Sequence, residues 1–142
     1  MQLTALLTLA LGLTATTSAA DLATTCRHKI AYLPANINKF CSQDFTVPSD
    51  YARNGLNWGP INDGRMRVTG PCSPAQPVSK DVCVRQMLEV CASGGPKGGG
   101  TRYFGRNGCQ AWTIVPPKKN LPLIGLGTRG IKRGEEDVDE EI

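Results

Sequence analysis

Cysteine is the residue in this sequence with the most chemistry to offer. There are six: Cys26, Cys41, Cys72, Cys83, Cys91 and Cys109. They contain no CxxC pair, and the chain has a single histidine, so the ligand spacing of a zinc site is missing. An even set in a small chain is instead the pattern of a disulfide framework, made in an oxidising compartment. Six cysteines allow 15 pairings. Cys83 and Cys91 fall eight residues apart on one predicted helix, about 12 Å by helical rise. A disulfide needs Cα atoms within about 7 Å. Connectivities containing that pair are excluded, and the others stay open.

Acid–base chemistry finds poorer material. His28 stands alone between Arg27 and Lys29, which suits a surface residue better than a general base. Glycoside hydrolysis needs two positioned carboxylates. The choices are Asp44, Asp50, Asp63, Asp81 and Glu89, and four of them fall in turns or at a helix cap, where aspartate is ordinary. No serine carries a nucleophile motif. Gly98-Gly99-Gly100 follows a helix and lacks the GxxxxGK[ST] spacing, so it reads as a flexible turn rather than a phosphate loop. No catalytic residue, cofactor or metal is assigned. The aromatic residues leave a binding option. Trp58, in a polar turn-rich loop, and Tyr103, beside Arg102, are the candidates for stacking on and gripping a ligand. Trp112 and Phe40 are expected in the core.

The elements that must position these residues follow from periodicity. Lys29-Ile30-Ala31-Tyr32 is read as a short strand. Leu33, Ile37, Phe40 and Cys41 recur at helical spacing, with Pro34 in the first turn, predicting a helix over 34–42. Residues 43–64 are rich in Gly, Pro, Asn and Asp, giving a long loop or two short strands joined by turns. Residues 66–69 alternate as a strand. The best helix is 80–92, capped by Ser79, with Val84, Met87, Leu88 and Cys91 as its apolar stripe. A hairpin follows, residues 101–104 and 109–115, turning at Asn107-Gly108 and placing Gln110, Trp112 and Ile114 on one face.

The ends differ from this body. Residues 3–13 are apolar, and Ser18-Ala19-Ala20 supplies small residues before Asp21, so residues 1–20 are read as a secretory signal. The folded unit is expected over 21–116. Residues 117–142 are read as a flexible tail without cysteine or aromatic residues. Residues 134–142 hold six of the 12 acidic residues and no basic one. Lys132-Arg133 stands just before them and resembles a dibasic processing site. The rest of the chain is strongly basic, which favours anionic surfaces over any defined nucleic-acid site.

The run from Val78 to Cys91, the glycine-rich linker, Phe104-Gly105, Asn107-Gly108-Cys109 and Trp112-Thr113-Ile114 resembles a pattern of small secreted fungal proteins. It is similar to the Ecp2-type necrosis-inducing effector domain and to the glycan-binding Y3-like domain, over roughly residues 65–115. That resemblance implies an extracellular α+β protein acting at a host or cell-wall boundary, and assigns no functional residue.

The expectation is therefore a small disulfide-stapled α+β domain, with an antiparallel sheet, two short helices and a C-terminal tail. It would be a secreted, monomeric, non-enzymatic effector-like protein that binds an extracellular glycan or host protein. A killer-toxin-like or antimicrobial protein acting on membranes or channels is the first alternative, and a small secreted hydrolase the second.

Overall fold

The computed structural model describes residues 16–118. The apolar run 3–13, the Lys132-Arg133 pair and the acidic nonapeptide lie outside them.

Helix α1 spans Ala19–Lys29. Ser18 caps it by accepting from the Asp21 amide, and Asp21 sits in the first turn where the helix dipole favours a negative charge. The expected boundary after Ala20 thus falls in the first turn of this helix. The strand expected at residues 29–32 is not there, because Lys29 completes α1 and puts its ammonium to other use. Its Nζ donates to the carbonyls of Cys91, Ala92 and Gly94 at 2.9, 2.7 and 2.9 Å. These carbonyls end another helix, where the ladder runs out of amide donors; that of Cys91 also accepts from the Gly94 amide at 3.2 Å.

Helix α2, Leu33–Phe40, begins with Pro34 in its first turn and buries Leu33, Ile37 and Phe40, as its spacing predicts. The turn-rich stretch after it holds more structure than a loop. Strands β1 (Phe45–Val47) and β2 (Leu56–Trp58) are separated by a five-residue helix α3, Asp50–Asn54. Ser49 caps α3 by accepting from the Ala52 amide, and Gly55 at φ 65° ends it. Strand β3 is Gly64–Thr69, β4 is Gln76–Val78, and helix α4 is Lys80–Ser93. Ser79 caps α4 through the Val82 amide. Strands β5 (Gly100–Phe104) and β6 (Gln110–Val115) complete the order. Asn107 and Gly108 turn the hairpin at φ 56° and 67°, inside a short 3-10 turn longer than a two-residue loop. The described residues hold four α-helices rather than two.

All strand pairs are antiparallel. β1 pairs with β4, and a four-stranded sheet runs β2-β3-β6-β5. β3 alternates buried and exposed residues, and β6 buries Gln110, Trp112 and Ile114. One face of the sheet therefore belongs to the core, where α4 lies across β5 and β6. The opposite face is open to solvent.

Three disulfides fasten the helical layer and the sheet. Cys26–Cys91 joins α1 to α4, Cys41–Cys83 joins the end of α2 to α4, and Cys72–Cys109 ties the segment after β3 to the start of β6. No cysteine is free. Both cysteines of α4 reach outward to other helices, in keeping with the exclusion of a Cys83–Cys91 bridge. Nor is the glycine run a slack connector. Gly98, at φ 72°, is buried so tightly that a Cβ there would lie 2.9 Å from both Cys91 Sγ and Leu33 Cδ2. The protein is thus a small, disulfide-stapled α+β domain.

Candidate functional site

The three residues singled out for ligand contact do not meet. Trp58 is on β2 and Arg102 and Tyr103 are on β5, the two opposite edges of the four-stranded sheet. Arg102 stands opposite Trp112 and so points to the core side, where it lies 3.8 Å from Glu89 and 5.5 Å over the Phe104 ring. Tyr103 faces the other way and is 70% exposed. Trp58, singled out as a ligand contact in a polar loop, is only 1% exposed. A small domain needs large side chains to fill its interior, and that demand outweighs the polarity of the loop that carries this one.

Trp58 nonetheless reaches a pocket. Its ring packs edge-on to Tyr32, centroids 6.0 Å apart, where the chain enters α2. The two aromatic residues line a pocket of about 410 Å³ between α2 and the β2–β3 connection. Asn36 and Lys39 come from α2; Asn57, Gly59, Pro60 and Asn62 come from β2 and the turn after it. Asn36 is four residues beyond Tyr32, one helical turn on the same side. Its Nδ2 donates to the Tyr32 carbonyl at 2.9 Å, which leaves its carbonyl oxygen to a ligand. Gly59 at φ 96° and Asn62 at φ 54° set the turn, closed by the Asn62 amide donating to the Gly59 carbonyl at 3.2 Å.

The wall of this pocket is short of hydrogen bonds. Among the described residues, four buried side-chain atoms have no partner, and two of them, Tyr32 Oη and Trp58 Nε1, belong to residues that line it; a third, Asp63 Oδ1, is in the turn that follows. A buried polar group without a partner is uncommon and costs roughly 1–3 kcal/mol. The other tryptophan shows the ordinary arrangement. Trp112 Nε1 donates to Gln110 Oε1 at 3.0 Å, and Gln110 Nε2 donates to Gln76 Oε1 at 3.0 Å.

The segment after β6 braces the pocket from behind. Pro117 is buried against the turn, so close that a Cβ on Gly59 would lie 2.9 Å from its Cβ. The Lys118 amide donates to Asp63 Oδ2 at 2.9 Å. Packing against the turn at residues 59–64 therefore reaches Pro117 and Lys118, just beyond the expected limit at residue 116.

The carboxylates have structural duties elsewhere. Asp44 accepts from the Lys80 amide, Asp50 pairs with Arg53, and Glu89 lies near Arg85 and Arg102. His28 is exposed on α1. No group of three or more metal-binding side chains occurs among the described residues. What the pocket offers is two aromatic rings whose polar atoms are sealed in its wall, several amides that donate or accept, and the exposed Lys39 ammonium. The signal for it in the sequence was the pairing of Tyr32 with Asn36 one turn later, together with a tryptophan opening the cluster Gly59-Pro60-Ile61-Asn62. Comparisons with protein-family models, curated proteins and solved structures returned no match.

Proposed function

We propose that this chain is a secreted, non-enzymatic binding protein of the effector type whose Tyr32–Trp58 pocket takes a neutral glycan. Three disulfides suit an oxidising, extracellular compartment. Among the described residues no helix is long and apolar enough to cross a membrane. The resemblance to secreted effector and glycan-binding domains points the same way.

One observation carries the choice of ligand: two buried donors, Tyr32 Oη and Trp58 Nε1, lack acceptors and belong to residues lining one pocket. Both atoms are closed to solvent, so a sugar must part the Tyr32–Trp58 contact to bring its hydroxyl oxygens to them as acceptors. Its remaining hydroxyls suit the amides of Asn36, Asn57 and Asn62, which exchange hydrogen bonds without demanding charge. An apolar ligand would leave the donors unpaired.

The test is an array of neutral oligosaccharides probed with the wild type and with Tyr32→Phe and Trp58→Phe. Each substitution removes one donor and should weaken the best-bound sugar about tenfold. An array with no bound sugar, or variants that bind as the wild type does, contradicts the proposal.

A further inference from the structure

We propose that the outer face of the four-stranded sheet binds an acidic polysaccharide, at a site that adjoins the Tyr32–Trp58 pocket at Asn57, the partner of Arg65 in register, but does not use Trp58. Strand register defines this face. Arg65 stands opposite Val115, and Arg67 opposite Thr113, itself opposite Thr101. Both arginines are exposed, two residues apart on β3 and so about 7 Å from each other along one side of the strand.

Charge makes the face distinctive. None of the residues that register and alternation assign to it is acidic. Arg53, Arg85 and Arg102 each lie within ion-pair distance of a carboxylate. Arg65 and Arg67, like Arg27 and Arg106 elsewhere, have no such partner among the described residues, and they alone stand two residues apart on one strand. Arg65 is held in place without being neutralised: its Nη2 donates to the Asn54 carbonyl at 2.9 Å.

The face is not only cationic. At one end Thr101, Thr113 and Val115 continue into a groove of about 550 Å³, which Pro96, Lys97 and Pro116 also line. The two threonine hydroxyls lie 3.0 Å apart, so one donates to the other and the second keeps its proton for a ligand. Proline and valine offer carbon surface to the C–H face of a sugar ring. The guanidiniums and Lys97 offer charge-assisted bonds to carboxylates along the chain. Single-stranded nucleic acid is held by successive stacking aromatics. This face has one exposed aromatic, Tyr103. A polyuronate meets both halves of the surface, and charge complementarity selects it.

The test measures binding of the full chain to immobilised polygalacturonate, with homopolymeric single-stranded DNA and phosphatidylserine vesicles in parallel. The double variant Arg65→Ser/Arg67→Ser is compared with Lys80→Gln/Arg85→Gln, which removes the same net charge from α4. The polyuronate is expected to bind at low salt. Its affinity should fall at least about tenfold in the β3 variant and less than about twofold in the α4 variant. Trp58→Phe should leave it unchanged, which separates this proposal from the pocket. Equal losses in both double variants would reduce the effect to net charge and overturn the proposal. So would a failure to bind polygalacturonate. DNA or vesicle binding that is as tight, and as dependent on Arg65 and Arg67, would also overturn it. The four positions of the double variants are exposed, and unchanged thermal unfolding checks that these variants and Trp58→Phe remain folded.

Discussion

Trp58 and Trp112 are both buried, yet their indole N–H groups are treated differently. Trp112 ends a chain of side-chain hydrogen bonds through Gln110 and Gln76, whereas Trp58 and its neighbour Tyr32 have none. A group whose desolvation is uncompensated contributes nothing to stability, so its removal should cost little. Tyr32→Phe is therefore expected to leave thermal stability unchanged or slightly raised, by up to about 1 kcal/mol, while weakening glycan binding. A drop of several kcal/mol would mean that the hydroxyl has a partner in solution. Lys29 is the opposite case. One ammonium satisfies three carbonyls at the end of α4, so Lys29→Met should destabilise the fold by about 1–3 kcal/mol, measured by denaturant unfolding.

At the scale of elements, local signals and tertiary demands divide the chain between them. The helices of residues 34–42 and 80–92 and the strands of the closing hairpin were legible because each is announced by its own residues: Pro34 at a first turn, Ser79 at a cap, alternation around Trp112. Ser79→Ala should accordingly cost about 1 kcal/mol. An unchanged melting midpoint would contradict that account. Two helices were not legible. Lys29 ends a helix rather than starting a strand because its side chain is recruited by the end of α4, which lies 62 to 65 residues away in sequence. Helix α3 is only five residues long, too short for a periodic pattern to show. Tyr51 within it stacks on Phe40 at 5.6 Å and donates to the Phe40 carbonyl, contacts invisible from either segment alone. The pocket was half legible for the same reason. Trp58 stood out by type, but its burial and its pairing with Tyr32 arise only when α2 is folded against β2.

The whole molecule rests on three crosslinks whose roles are distinct. Cys41–Cys83 holds the end of α2, which carries Asn36 and Lys39 of the pocket wall. Cys72–Cys109 holds the far end of β3 against β6. Replacing either pair with serine should lower stability by about 2–5 kcal/mol. Glycan affinity should fall in Cys41→Ser/Cys83→Ser and hold in Cys72→Ser/Cys109→Ser, measured at a temperature where both remain folded. The two proposals put a pocket for a neutral sugar beside β2 and a cationic outer face from β3 toward β5, adjoining where Asn57 pairs with Arg65. The most direct test of the pocket is an indole N–H titration by nuclear magnetic resonance, since the chain has only two tryptophans. On adding the sugar selected by the array, the Trp58 indole signal should move as it gains an acceptor, while that of Trp112, already bonded to Gln110, stays in place. A Trp58 signal that remains fixed at saturating sugar would contradict the account.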